Sequence, residues 1–270
     1  MISQKGSFRE MDNDPTRLDD DDTSNRPRRR WRLSYSGITI AQAEERLRFR
    51  IASLKEIPVE EMLGSIDQGG QVMGGREVMG GREVIEMKKK VYEQIVRYLR
   101  IEGNPTEADP DFKAGNINHL VFSVISPILE KFIFTTGQNL QLQVDKEIVS
   151  IDRETGGTVE VVVVDRITYS KERFILAVEA KRISLGQALK QCLLALKDMR
   201  EINNDGRVYG FVTTGKSWQM VEYDGESFRI TEEMTALFPT MDQNERRWLS
   251  NHSAVVDCLY YALHNGVVWR

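Results

Sequence analysis

The chain has 270 residues, and its 40% hydrophobic content is sufficient for a substantial buried core. Its formal net charge is −4, whereas domains that coat nucleic acid through bulk electrostatics have a pI above about 9. No stretch approaches the roughly 18 consecutive apolar residues of a membrane helix, and the polar amino terminus lacks the apolar run of a secretory signal. The composition therefore excludes a nucleic-acid-coating protein. It predicts a soluble, intracellular protein without a membrane partner, in which any contact with nucleic acid comes from a local patch.

Residues 1–35 are predicted to form a disordered, charged tail. They combine an acidic run at 19–22 with the basic sequence RPRRRWR at 26–32 and show almost no apolar periodicity. Such a segment cannot bury enough apolar surface to offset its ordering entropy. Because the basic cluster is typical of a nuclear-localisation signal, the predicted compartment is the nucleus or the cytoplasm.

Residues 36–112 are predicted to form a helical extension. Apolar positions at three- and four-residue intervals predict an amphipathic helix over 39–54, with Thr39 as its amino-terminal cap. The sequence MGGREV at 73–78 is then repeated without change at 79–84. Paired glycines disfavour regular structure, so 64–82 is predicted to be a flexible loop, and a second helix follows at 85–100.

Residues 113–270 are predicted to form one α/β domain. A buried helix over 116–134, bent or restarted at Pro127, opens it. Apolar and β-branched runs then predict an antiparallel three-strand meander, followed by a helix capped by Ser184, another strand, a hairpin around Asp224 and Gly225, and helices from about 244 onward. The predicted strands and the helix between them cover 140–149, 159–164, 174–178, 184–199, 208–213, 218–223 and 227–231. Cys192 and Cys258 lie in apolar helical patterns, which predicts reduced, buried thiols.

The pair Glu179 and Lys181 follows the buried run of the third predicted strand. The period of two in a strand places both side chains on the same face. Carboxylates on neighbouring strands suit Mg²⁺, and a lysine ammonium can stabilise charge on a reacting phosphate or position the attacking water. The competing interpretation is that these charges pair with each other, or with solvent, at the rim of the sheet.

Three segments resemble the PD-(D/E)XK nuclease superfamily: FILAVEAKR at 174–182, GQALKQ at 186–191 and VYGFVTTGKSWQMVEYDG at 208–225. The last is similar to the nuclease domain of type I restriction subunits, and the resemblance covers about 116–231. It implies a restriction-endonuclease-like α-β-β-β-α-β core with a mixed sheet, extra amino-terminal helices, and a carboxyl-terminal hairpin plus helices. It also implies a hydrolase that cleaves nucleic acid, with DNA favoured as the substrate and Mg²⁺ or Mn²⁺ as the cofactor.

The resemblance assigns roles to particular residues. Glu179 and Lys181 match the acid and the lysine of the third strand, Glu130 matches an acid of the first helix, and Gln191, or else Gln187, matches a helix glutamine near the metal. The second-strand acid stays open between Glu160, which has the expected position, and Asp165, which has the expected chemistry. Their odd separation puts them on opposite faces, so only one of them can join Glu179 as a metal ligand.

The residues also leave the function open. In the first hypothesis the carboxyl groups of Glu179 and of Glu160 or Asp165 lie within about 5 Å of each other, with the Lys181 ammonium beside them. The alternatives are a catalytically inactive nuclease-fold module that binds nucleic acid or a protein, and an unrelated α/β interaction module in which Glu179 and Lys181 are a surface ion pair.

Overall fold

The computed structural model describes residues 30–64, 81–105, 112–168, 171–182 and 185–267. The helices are α1 Ile40–Leu47, α2 Val59–Leu63, α3 Gly81–Glu102, α4 Ala114–Thr136, α5 Leu185–Asn203, α6 Glu245–Asn251 and α7 Ala254–Gly266. The strands are β1 Leu33–Ser34, β2 Glu56–Ile57, β3 Leu140–Val149, β4 Thr155–Arg166, β5 Glu172–Ala180, β6 Val208–Thr213, β7 Ser217–Tyr223, β8 Phe228–Thr231 and β9 Met234–Thr235. Residues 1–29 of the predicted tail (1–35), residues 65–80 of the predicted glycine-rich loop (64–82), and the predicted cap Ser184 lie outside these residues.

The described part of the chain is a mixed α/β structure built on a nine-stranded sheet with both parallel and antiparallel pairs. β3, β4 and β5 form an antiparallel meander, as the alternating and β-branched runs predict. β6 lies parallel to β5, so the chain crosses from one strand to the next through α5, as a parallel connection requires. β7 and β8 form the predicted hairpin at Asp224 and Gly225, where the Asp224 carboxylate accepts hydrogen bonds from two following backbone N–H groups.

The two faces of the sheet have separate apolar cores. Val161, Val163 and Val178 pack with α3, α4 and α7 on one face, whereas Val162 and Ala177 pack with α5 and the amino-terminal segment on the other. Side chains alternate between faces along a strand, so the sequence position of a residue in β4 or β5 decides which helices it meets. Both predicted buried thiols are confirmed: Cys192 and Cys258 are free and buried, on opposite faces.

The helix α4 is continuous through Pro127, so it does not restart at the proline, the second of the two predicted alternatives. By length and composition alone, Gly115–Thr136 could cross a membrane; half of that window is buried inside the protein. The buried part packs against α3, α7 and the sheet.

The amino-terminal segment joins the sheet earlier than predicted. Leu33 and Ser34, assigned to the charged tail, form β1 beside β4, and Tyr35 is buried. Thr39 caps α1 through a capping box with Gln42, which confirms the predicted start of this helix. The helix ends at Leu47 and does not reach residue 54, because Arg48 adopts a left-handed backbone conformation (φ 64°).

Candidate active site

The predicted Glu179 and Lys181 lie at the end of β5, next to β4. Val161 of β4 pairs with Val178 of β5, and the two strands are antiparallel. Glu160, which precedes Val161, is therefore adjacent to Glu179, which follows Val178. Gly156 pairs with Val149 of β3 and with Ser34 of β1, so β1 and β5 share the other edge of β4. Glu160 therefore lies in a gap between β1 and β5, on the same edge of β4 as the end of β5.

The Lys181 ammonium joins the two carboxylates. Its Nζ lies 2.7 Å from Glu160 Oε1 and 3.4 Å from Glu179 Oε2. The backbone N–H of Ala180 donates a hydrogen bond to the second oxygen of Glu160. Both oxygens of Glu160 are thus held by Ala180, the last residue of β5, and by Lys181, which follows it, and this fixes the carboxylate beside Glu179.

Glu179 is almost completely buried, with 1% of its surface exposed. Among the described residues, no group donates a hydrogen bond to its Oε1 atom, which is itself buried. Burial raises the pKa of Glu179 to about 8; Lys181 opposes this shift and the charge of Glu160 reinforces it. A carboxylate with an unsatisfied oxygen beside a second acid is the kind of group that a bound cation stabilises.

Lys181 is the more accessible part of the cluster, with a quarter of its side chain exposed. Burial alone would lower its pKa, but the hydrogen bond from Lys181 to Glu160 and the charge of Glu179 outweigh that effect, so the pKa of Lys181 is raised. The ammonium therefore keeps its positive charge at neutral pH, between the two acids.

Asp165, the alternative second-strand acid, does not join the cluster. It lies opposite Leu140 and Arg173, five residues along β4 from Glu160, roughly 17 Å at the usual rise per residue. The register explains the choice: β4 and β5 remain paired up to Arg166 and Glu172, with a shift between Val163 and Val164. This register brings Glu160 to Glu179 and leaves Asp165 buried near the far end of the hairpin.

Glu130 is also separated from the carboxylates. It is exposed on α4, and it lines a shallow groove with residues of α3, among them Lys90 and Glu93. The helices α4 and α5 cover opposite faces of the sheet, and Glu179 lies on the α5 face together with Ala177. The structure therefore does not bring Glu130 to Glu160 and Glu179.

Gln191 lies on α5, the helix that covers the correct face. Its neighbour Cys192 is close enough to Glu179 for that charge to act on the thiol, whose pKa is raised first by burial and second by Glu179. Gln191 itself is partly exposed, while Gln187 is exposed. Within the described residues, no hydrogen bond links the Gln191 side chain to Glu160 or Glu179.

A second buried carboxylate, Asp198, lies on the same face and was not predicted from the sequence. Its Oδ2 accepts hydrogen bonds from Tyr35 Oη at 2.8 Å and Thr155 Oγ1 at 2.7 Å, and its Oδ1 lies 3.2 Å from an Arg46 nitrogen. Arg46 also pairs with Asp152. Burial raises the pKa of Asp198, against the hydrogen bonds from Thr155, Tyr35 and Arg46. A signal was present in the sequence, because Asp198 interrupts the apolar face of α5 between Ala195 and Met199.

No family model matches this chain, and no curated protein matches it. Within the part of the chain that the structure describes, no group of three or more His, Cys, Asp or Glu side chains is arranged to hold a metal ion. The site is therefore characterised by its own geometry: two carboxylates and one ammonium where the end of β5 lies beside the middle of β4.

Proposed function

We propose that this protein is a nuclease that hydrolyses phosphodiester bonds in nucleic acid with the help of Mg²⁺ or Mn²⁺. The observation that carries the proposal is the position of the Lys181 ammonium between the carboxylates of Glu160 and Glu179. The order α4, β3, β4, β5, α5, β6, with β6 parallel to β5, supports a restriction-endonuclease-like core. DNA is the favoured substrate, and the nucleus or cytoplasm is the favoured compartment.

Glu160 and Glu179 are the residues that would hold the metal ion. Their oxygens are hard donors of the kind Mg²⁺ prefers, and the buried Oε1 of Glu179 has no hydrogen-bond donor among the described residues. When bound, the ion neutralises charge on the phosphate and lowers the pKa of a water molecule. These donors fit a divalent cation, and two carboxylates leave room for the waters that Mg²⁺ retains.

Lys181 is proposed to act on the phosphate directly. In hydrolysis the oxygen of a water forms a bond to phosphorus, the bond to one ester oxygen breaks, and the water's protons end on the leaving hydroxyl and in solvent. Negative charge accumulates on the phosphate oxygens during this exchange, and a fixed ammonium stabilises it. The backbone N–H of Ala180 orients Glu160, and burial by α5 limits the access of bulk water to Glu179.

A second candidate function is binding of nucleic acid or a protein without cleavage. Glu160 stands where the resemblance implies an aspartate, and both of its oxygens already accept hydrogen bonds from Ala180 and Lys181. An ion pair closed in this way also stabilises a strand end with no catalytic role.

The decisive experiment compares cleavage of plasmid and of single-stranded substrates by the wild type and by Lys181→Ala, with Mg²⁺ or Mn²⁺. The matched control is Lys171→Ala, in which an exposed lysine of the β4–β5 turn is removed. We expect Lys181→Ala to reduce the cleavage rate about 100-fold or more, as does removal of other groups that stabilise transition-state charge, with Lys171→Ala unchanged.

Equal cleavage by the wild type and Lys181→Ala would identify a contaminating nuclease and overturn the proposal. A wild type that binds nucleic acid but leaves it intact with both metals would favour the second candidate.

A further inference from the structure

A groove lies between the segment 47–57 and the β7–β8 hairpin, away from the carboxylate cluster. Its volume is about 730 Å³, within the range of sites that hold small organic ligands. Lys197, on its wall, is twelve residues beyond the start of α5, and Lys181 precedes that start. At the rise of an α-helix this separation is roughly 18 Å along α5, so the groove is a separate site on the same side of the sheet.

Aromatic rings form one wall of the groove. Tyr223 and Phe228 are stacked with centroids 4.0 Å apart, and Phe49 lies 5.4 Å from Phe228 at an angle of 31°. Phe49 and Phe228 are partly exposed although both are large and apolar. Partly exposed rings in a concave site are surfaces on which a nucleobase stacks.

The charges of the groove leave two cations available. Lys197 pairs with Glu201, and Arg229 pairs with Glu222. Arg48 and Lys55 are exposed, and neither has an ion-pair partner in the described part of the chain. The remaining acid of the lining is Glu226, so the unpaired charge of the groove is positive on balance.

We propose that this groove binds a nucleotide unit, with the base against Phe49 and Phe228 and the phosphate near Arg48 and Lys55. Apolar rings beside unpaired cations match the two halves of a nucleotide, one flat and aromatic and the other anionic. The nucleotide is either a free monophosphate or one unit of a single strand. This inference goes beyond cleavage and does not depend on it.

The test is fluorescence anisotropy with a labelled thymidine hexanucleotide, in EDTA so that no cleavage occurs. Phe49→Leu removes a ring but keeps an apolar side chain. Arg48→Asn with Lys55→Gln removes both charges, and asparagine tolerates the left-handed conformation at position 48 (φ 64°). The matched controls are Phe122→Leu on α4 and Arg82→Asn with Lys89→Gln on α3, all at exposed positions.

We expect each groove variant to weaken binding of the hexanucleotide at least tenfold and the controls to leave it unchanged. An abasic hexamer with the same phosphates should bind at least tenfold more weakly than the hexanucleotide. Competition by thymidine monophosphate would identify the free nucleotide as a ligand, and hexanucleotide binding without such competition would identify the strand.

Absence of hexanucleotide binding, equal effects of groove and control variants, or equal binding of the abasic hexamer would each overturn the proposal. Because the assay excludes metal and leaves Lys181 intact, failure of the proposed nuclease activity would not affect this readout.

Discussion

Among the described residues, two carboxylates are buried on the α5 side of the sheet, Glu179 and Asp198, and each has only 1% of its surface exposed. Burial raises the pKa of both. Both oxygens of Asp198 accept hydrogen bonds, from Tyr35, Thr155 and Arg46. Glu179 has Lys181 at 3.4 Å on one oxygen, while the other oxygen has no donor among the described residues. These two acids therefore share their burial and differ in how far the described residues satisfy their oxygens.

The difference has a physical cause. A fully hydrogen-bonded buried acid holds its neighbours in one arrangement, and Asp198 joins α5 to β4 and to the amino-terminal segment that carries Tyr35 and Arg46. A buried acid with an unsatisfied oxygen costs folding free energy unless something else binds it. Strongly perturbed acids of this second kind are concentrated at functional sites.

The largest expected effect comes from breaking the satisfied network. Asp198→Asn keeps the shape of the side chain but removes its charge and faces an amide toward Arg46. Because one partner of a buried ion pair is lost, we expect the free energy of unfolding to fall by about 4 kcal/mol at pH 7, measured by urea denaturation.

The control for this variant is Asp242→Asn, at an exposed position in the turn before α6. A loss below about 0.5 kcal/mol for Asp198→Asn would mean that the network contributes no more than ordinary surface substitutions do.

The same contrast shows what the sequence could and could not predict. Periodicity predicted the strands from β3 to β8 and the helices that cover them, because apolar alternation reports burial directly. The contact of Lys181 with Glu179 was predictable because residues two positions apart in a β-strand lie on the same face. The choice between Glu160 and Asp165 depended on the hairpin register, which one irregular pairing near Val163 can shift.

The hydrogen bonds of Asp198 could not be predicted from local sequence patterns. Tyr35 and Asp198 are separated by 163 positions, and Tyr35 lies in a segment whose charge predicts disorder. The burial of Tyr35 depends on Gly157 of β4, which lies against the Tyr35 ring. A β-carbon at position 157 would lie 2.6 Å from that ring, so a larger residue would displace it. Contacts between distant segments of this kind leave no periodic signal in the sequence.

The second prediction is that a substitution of Glu179 increases the free energy of unfolding, whereas a substitution of Asp198 decreases it. The pKa of Glu179 is 4.5 in the unfolded chain and about 8 in the folded protein. Between pH 4.5 and pH 8, Glu179 has lost its proton in the unfolded chain and keeps it in the folded protein. The contribution of Glu179 to stability is therefore complete below pH 4.5 and is lost as the pH rises toward 8. Glu179→Gln removes this dependence. We expect the variant to gain on the order of 2 kcal/mol over wild type between pH 4.5 and 8, by urea denaturation in EDTA.

The matched control is Glu130→Gln, because Glu130 is exposed on α4 and should leave the pH dependence of stability unchanged. In the cleavage assay, Glu179→Gln should lose activity while it gains stability, the trade-off typical of active sites. A wild-type stability that stays level or rises between pH 4.5 and 8, relative to Glu179→Gln, would contradict the burial argument.

The smallest expected effect compares two buried tyrosine hydroxyls. Tyr35 Oη donates to the Asp198 carboxylate at 2.8 Å, whereas Tyr92 Oη donates to the Met241 backbone carbonyl at 2.6 Å. Hydrogen bonds to a charged group contribute more than those to a neutral one, about 1.5 to 3 against about 0.5 to 1.5 kcal/mol. We expect Tyr35→Phe to reduce the free energy of unfolding by about 2 kcal/mol and Tyr92→Phe by about 1 kcal/mol. Equal losses would mean that Asp198 is neutral when Tyr35 binds it.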